Sequence, residues 1–245
     1  MKHNFTFLLL ASIIILIVSI VLFSCRKEKN FLSERIVEEA CIIQTENPVG
    51  RSYSSEAIIA ISDAKKYCGL LPLNSKNYWV YLDSIYIDGV FAKVQYDTLR
   101  YSPVFKSLSD GLIWWESNFS AGLPEILYSN DSALFTIENR FFTEGIKDVK
   151  KDFSLFTGDT SKYLTSFEDA AAMGLSVKLT TAFKVLAGSF NDCIYIEKYA
   201  RNYRRDQVFF KPGVGVVKYI QEKTQIALRQ LKPRYVLTLV AFHLE

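Results

Sequence analysis

The chain has 245 residues and a formal net charge of +3. So small a charge argues against a nucleic-acid binder, which needs a concentrated basic face, and the length suits one domain or two small ones. With 14 Tyr and 18 Phe beside many Val, Ile and Thr, the composition favours strands over helices.

Met1-Lys2-His3-Asn4 is a short basic start, and an apolar run over residues 5–23 leads to Ser24 and Cys25. A basic start, an apolar centre and a small residue before the cut define a secretory signal. Leu22-Phe23-Ser24-Cys25 looks like a lipobox, with an aliphatic residue three before the cysteine and a small one directly before it. On this reading residues 1–24 are a lipoprotein signal peptide. The Cys25 thiol takes a diacylglycerol, its amino group an acyl chain such as palmitate, and the bilayer is held through acylated Cys25. The run also approaches the roughly 20 apolar residues that cross a bilayer, so the alternative is an uncleaved signal anchor. The cysteine preceded by serine decides for the lipoprotein. Arg26-Lys27-Glu28-Lys29 follows without the acidic pair that resembles a surface-export signal. The expected location is therefore the cell envelope, on the outer membrane facing the periplasm.

Residues 25–30 read as a charged tether and 31–69 as a helical segment. Leu32, Ile36, Val37, Ala40 and Ile43 share one helical face, with Ser33 as cap. Asn47-Pro48-Val49-Gly50 breaks the chain. Ile58, Ile61, Ala64 and Cys68 predict a second helix over 55–68, stopped by Gly69. An exported domain meets an oxidising space, so Cys41 and Cys68, close in sequence, are the candidate disulfide. The alternative is three buried thiols packed as small apolar residues, and Cys193 stays free in either case.

From residue 70 to 245 the expectation is an antiparallel β domain. Strands over 77–87 and 90–101 flank Asp88-Gly89, a hairpin signal. On the second strand Val90, Ala92, Val94 and Tyr96 are expected on a buried face, with Phe91, Lys93, Gln95 and Asp97 on a largely wet one. Residues 111–117, 126–128 and 133–142 read as strands and 144–165 as a polar loop. Residues 166–173 read as a short helix, with Asp169 in a capping box and Gly174 as stop. Leu179, Thr181, Phe183 and Val185 alternate along a strand over 176–187, Gly188-Ser189 turns, and 190–199 is a strand. Residues 198–206 form a basic loop. A strand over 207–220 breaks at Lys211-Pro212-Gly213, and strands over 225–231 and 235–244 are separated by Lys232-Pro233. Short links make a meander. The fold class is mainly β with a minor α part: an antiparallel curved sheet or incomplete barrel with N-terminal helices.

Three segments carry a resemblance: Leu71-Pro72-Leu73 with Asn77-Tyr78-Trp79-Val80-Tyr81, then Ala187-Gly188-Ser189-Phe190-Asn191-Asp192-Cys193-Ile194, then Lys211-Pro212-Gly213-Val214-Gly215-Val216-Val217-Lys218. Together they resemble a loose family of Gram-negative bacterial lipoproteins with a lipobox and a β-rich body. The resemblance implies that fold and an anchor, with no reaction attached. From the residues themselves, Gly188 suits a tight turn, Gly213 and Gly215 a bulge or close approach, and Pro212 an edge or bulge.

Little chemistry is encoded openly. His243 is the one histidine beyond the apolar run, so a Ser-His-Asp or Cys-His site would have to use it. Cys193 reads as strand interior. Zinc-ligand spacing is missing, and Gly213-Val214-Gly215 lacks the third glycine and helix of a dinucleotide fingerprint. No metal and no cofactor are expected. Paired carboxylates stay open. Lys198, Arg201, Arg204 and Arg205 read as a solvated hairpin loop, or as a site for anionic headgroups. Trp114 and Trp115 point to opposite faces of a strand, so either both pack in cores or one lines a groove. With Trp79 they are the candidate ligand-facing residues. The expected function is a non-enzymatic envelope module for an apolar ligand or an envelope protein. The alternatives are a hydrolase using paired carboxylates and a signal-anchored structural protein.

Overall fold

The period-two pattern that begins near residue 77 becomes sheet, and so does much that the sequence reads otherwise. The computed structural model describes residues 41–137, 147–154, 160–167, 170–225 and 228–245. The signal peptide, Cys25, the tether and residues 32–40 of the first expected helix lie outside them. Residues 41–245 belong to one compact unit.

Residues 41–68 supply four short strands, β1 (Ile42–Ile43), β2 (Ser52–Tyr53), β3 (Ile58–Ala60) and β4 (Tyr67–Cys68). A long hairpin follows, β5 (Tyr78–Ile87) and β6 (Val90–Leu99). Then come β7 (Tyr101–Ser107), β8 (Ile113–Ser117), β9 (Ile126–Ser129), β10 (Ala133–Thr136), β11 (Lys147–Asp148) and β12 (Lys150–Ser154). The rest are β13 (Thr160–Phe167), β14 (Ala170–Lys178), β15 (Phe183–Val185), β16 (Gly188–Phe190), β17 (Ile194–Ala200), β18 (Arg204–Lys211), β19 (Gly215–Gln225) and β20 (Gln230–His243).

Two antiparallel sheets dominate. One has six strands in the order β12-β10-β9-β8-β7-β3, the other eight in the order β13-β14-β17-β18-β19-β20-β5-β6. Neither closes into a barrel. The C-terminal strand β20 docks on β5, pairing Leu237 with Asp83 and Leu239 with Tyr81. Only Arg100 separates β6 from β7, so the chain passes from the large sheet to the small one at a corner. Asn118 braces that corner: its Oδ1 accepts from Arg100 N at 2.8 Å and its Nδ2 donates to Thr98 O at 2.9 Å.

Each face of the small sheet feeds a different core. Trp115, Leu127 and Leu134 join Trp79, Tyr81, Phe210, Val217 and Leu239 of the large sheet. On the opposite face Trp114 packs with Tyr53, Phe105, Tyr128 and Phe135. Trp114 and Trp115 are both 0% exposed. Consecutive strand residues point to opposite faces, so this dipeptide pins both cores. Burying such side chains contributes on the order of 2–3 kcal/mol each.

The Asp88-Gly89 hairpin forms as a two-residue turn. Ile87 pairs with Val90, and both turn residues have positive φ, 50° and 80°, the requirement of a primed turn.

Several expectations are corrected. Residues 55–68 are no helix but a short 3₁₀ turn at Ser55–Ala57 followed by β3 and β4. The β-branched Ile58 and Ile59 pair with Ser107 and Lys106, and sheet pairing outweighs a helical spacing that rested on four residues. Ile42–Ile43, at the end of the first expected helix, is strand as well. Residues 166–167 and 170–173 fall on β13 and β14, which pair from Thr160 with Val177 to Phe167 with Ala170; residues 168–169, Asp169 among them, lie outside the described residues. Gly174 is no helix stop either: a Cβ there would clash with the Tyr163 ring on β13. The polar stretch 144–165 contains β11, β12 and most of β13. The strand expected over 176–187 stops at Lys178, and Leu186-Ala187 form the turn of the β15–β16 hairpin, with Gly188 opening the second strand. The basic loop over 198–206 shrinks to the three-residue turn 201–203 between β17 and β18. Lys232-Pro233 does not divide β20. Pro233 sits opposite Glu222 at a register shift, two residues before pairing with β5 begins at Tyr235, where its missing N–H costs no ladder bond.

The buried face of β6 is also corrected. Val90 and Tyr96 are 70% exposed, and it is Gln95 and Asp97 that turn partly inward. β6 is an edge strand, and no second layer covers its apolar row among the described residues.

Candidate functional site

The inner face of the large sheet changes character along its strands. On β5 the inward residues are Trp79, Tyr81 and Asp83. On β18 they run from Phe210 through Val208 to Asp206, and on β19 from Val217 through Tyr219 to Gln221. Cross-strand register aligns these series. Asp83, Leu237, Tyr219, Val208 and Ile196 form one row; Tyr235, Gln221, Asp206 and Lys198 form the next. One end of the face is aromatic and aliphatic, the other acidic, basic and amide.

The apolar end is filled. Trp79 Nε1 donates to Val214 O and Tyr81 OH to Val216 O, both at 2.7 Å. Gly213 N donates to Leu70 O at 3.0 Å. The three resemblance segments meet here, with Cys193 fully buried in the same core. Burial raises the Cys193 thiol above its ordinary range, the opposite of what a nucleophile needs. Cys41 and Cys68 are disulfide-bonded, with Cα atoms 5.5 Å apart, beside the strand that leads into Leu70 and Leu71.

The polar end is hollow. A cavity of about 1030 Å³ lies there between the sheets, at the upper end of the size of small-molecule pockets. Loop 118–125, between β8 and β9, separates the two ends. Ala121 enters the filled core, Phe119 and Leu123 touch both core and cavity, and Gly122 and Glu125 line the cavity. Gly122 has φ of +85°, and a Cβ there would meet Tyr219 and Val208 at 2.6 Å, so only glycine lets the loop lie this close to the sheet.

The cavity walls hold five acids (Asp83, Asp97, Glu125, Asp152 and Asp206) and four bases (Lys150, Lys151, Lys198 and Arg204). Arg204 forks Asp206 through Nε at 2.7 Å and Nη2 at 2.5 Å. Tyr219 OH donates to Asp206 at 3.1 Å and accepts from Gln221 at 2.9 Å. Burial lowers the Arg204 guanidinium, yet the bonds to Asp206 and Tyr219 outweigh it and hold the group above its usual value. Arg204 and Lys198 also lie over the Phe167 ring at 4.9 and 5.1 Å. Burial raises the Asp152 carboxyl against the opposing charge of Lys198, and burial with Asp152 nearby pushes Tyr163 up to about 12.

Asp83 is the outlier among the cavity acids, although the buried Trp114 and Trp115 indoles and the Tyr128 hydroxyl also lack a partner. It is 6% exposed, and its Oδ1 accepts no hydrogen bond. Burial first, then the charge and hydrogen bond of Asp97, push its carboxyl up to about 6. Among the described residues no three His, Cys, Asp or Glu side chains gather as a metal site.

The sequence-predicted residues fall elsewhere. Trp79, Trp114 and Trp115 are all buried in cores and none lines the cavity, which corrects their reading as ligand-facing. Of the basic run, Lys198 and Arg204 face the cavity from strands, while Arg205 bonds Glu222 at 2.5 Å. Asp83 and Asp206 were missed. Their signal was an acid on the inward parity of an otherwise apolar strand, Trp79-x-Tyr81-x-Asp83 above all.

No family model and no curated protein sequence matches the chain. Among solved structures it is similar to a candidate lipoprotein from Parabacteroides distasonis, at 12% identity and a TM-score of 0.33, with 72% of this chain and 99% of the other covered. A likeness at that level carries no argument for fold or function.

Proposed function

We propose that the chain is a bacterial envelope lipoprotein, tethered through acylated Cys25, whose body is a non-enzymatic binding module. The observation that carries the binding role is the cavity between the sheets, hollow where the same sheet is elsewhere tightly packed. Its mixed walls favour a small polar or amphipathic ligand over the bare acyl chain that an aromatic face would have suited. The Leu22-Phe23-Ser24-Cys25 run supports the anchor, and the residues after Cys25 support a periplasmic face on the outer membrane.

The convergent acids give the hydrolase reading one observation of its own. Asp83 and Asp97 sit diagonally on adjacent strands, and burial with the Asp97 charge raises the Asp83 carboxyl. Glycosidase pairs stand about 5–5.5 Å apart when retaining and farther when inverting. The cavity itself, whatever that separation, carries the binding reading.

Two experiments test the proposal. Mass spectrometry of the native protein should find acyl groups on Cys25, lost in Cys25→Ser; a native terminus without acyl groups contradicts the anchor. In a thermal-shift panel of small metabolites and lipid headgroups, compounds that raise the melting temperature should lose some or all of their effect in Thr165→Trp, which pushes a bulky ring into the cavity from β13. A panel without hits, or hits indifferent to that substitution, contradicts the binding role.

A further inference from the structure

Beyond the cavity, the large sheet ends in two neighbouring hairpin turns, β5–β6 at Asp88-Gly89 and β19–β20 after Gln225. They lie against each other, since a Cβ at Gly89 would meet the Lys232 side chain at 2.9 Å. Large apolar side chains stand in solvent at both turns: Ile87 is 66% exposed, Val90 70%, Phe91 56% and Leu228 56%. Phe91 meets the Tyr86 ring edge-on at 5.9 Å. Apolar groups gathered at a surface in this way mark a contact with another body.

The charge beside them has one sign. Residues 223–234 include Lys223, Arg229, Lys232 and Arg234 and no acid, and Asp88 is balanced by Lys93. Lys223 lies directly opposite Lys232 on one side and Arg204 on the other. Arg204 is held by Asp206, whereas neither lysine meets an acid among the described residues. Like charges directly opposite on neighbouring strands work against the sheet. A surface of negative charge turns that cost into attraction.

We propose that these two turns dock the domain on a bilayer that contains anionic lipid. Ile87, Val90, Phe91 and Leu228 enter the acyl boundary, and the basic residues meet phosphates. Apolar burial and attraction to anionic headgroups add in such interfacial contacts. The inference rests on the chain being held at a membrane, which keeps a bilayer within reach of the body. Cys25 lies 16 residues before Cys41, a reach of roughly 53–58 Å when extended. The longest strand, β20, has 14 residues and spans roughly 46 Å. An anchor at Cys25 therefore allows either end of the sheet to meet the bilayer, and the turns decide which end does.

Quenching by brominated acyl chains tests the docking on the full-length protein reconstituted into vesicles. Trp79, Trp114 and Trp115 are buried, so a tryptophan added at the surface reports its own contact with lipid. Phe91→Trp keeps the turn apolar and places the probe there. Ser75→Trp places it before β5, at the other end of that strand. In brominated phosphatidylcholine mixed with phosphatidylglycerol, Phe91→Trp should be quenched and Ser75→Trp should not. Omitting phosphatidylglycerol, or adding Lys223→Glu with Lys232→Glu to Phe91→Trp, should remove at least half of the quenching. Melting curves confirm that the variants fold. Vesicles that float with the protein while Phe91→Trp stays unquenched overturn the docking and leave the anchor standing. Equal quenching at Ser75→Trp, equal quenching without phosphatidylglycerol, or indifference to the two lysine substitutions also overturns it. A protein that does not float with the vesicles loses both anchor and docking.

Discussion

At one end of the large sheet Trp79, Tyr81, Phe210, Val217 and Leu239 pack in one buried cluster, and the Trp79 indole and Tyr81 phenol donate to backbone carbonyls. A few residues along the same strands, Asp83, Gln221 and Asp206 face a cavity of about 1030 Å³. Strand order, register and twist are shared by both ends; only the inward side chains and the loop between them differ. Protein interiors are normally filled to crystal-like density, so an unfilled, charged end beside a filled one marks where folding has not set the residues. The filled end explains why this chain folds, and the hollow end is where function is to be sought.

The sharpest way to break the comparison is to injure the filled end. Trp79→Ala, and separately Trp115→Ala, should cost about 3–5 kcal/mol in urea unfolding, the range for large buried aromatics. Thr165→Trp at the hollow end should cost far less. Equal losses at both ends would erase the distinction.

The disulfide tests how the filled end is held. Cys41→Ser should cost about 3–4 kcal/mol under oxidising conditions, from the loop of 27 residues it releases. Reductant should bring the wild type down to the variant. A melting temperature insensitive to reductant would show that packing alone fixes residues 41–73.

The smallest effect concerns a turn distant from either core. Gly89→Val should cost about 1–2 kcal/mol, because its φ is +80° and a Cβ would meet Lys232 at 2.9 Å. Ligand binding should be unaffected. An unchanged melting temperature would mean that the hairpin relaxes freely.

These same elements show what the sequence could reveal. Asp88-Gly89 was legible because a two-residue turn is a local matter, settled by φ at two positions. Helix over 55–68 was misread because Ile58, Ile61, Ala64 and Cys68 satisfy a helical spacing by coincidence, while their true partners lie far along the chain, at Lys106 and Ser107 and across the disulfide. Ala170 to Ala172 likewise read as helix, although alanines there pack with Phe167 and Ala200. For β6, alternation was correctly seen but its faces were exchanged, since an edge strand need not bury its more apolar side. The candidate site was the least legible. Asp83, Asp97 and Asp206 come from three strands, and only the register of β5 with β6 and, through β20 and β19, with β18 brings them to one face. Aromatic residues drew attention first, yet they serve the fold, and the acids interrupting their alternation mark the cavity.

The central claim is that the hollow end keeps charge at the expense of stability. Asp83 tests it most directly through the pH dependence of unfolding in wild type and Asp83→Asn. Its carboxyl is raised from 3.8 to about 6 in the folded protein. The unfolded chain therefore gives up this proton first, and folding stability declines as pH rises from about 4 through 6. At 1.36 kcal/mol per unit the group costs about 3 kcal/mol above that window. The account predicts that Asp83→Asn matches wild type near pH 4, overtakes it as pH rises, and is more stable by about 3 kcal/mol at pH 8. A variant less stable than wild type at pH 8, or a difference independent of pH, would show that Asp83 is satisfied within the fold and would contradict the claim.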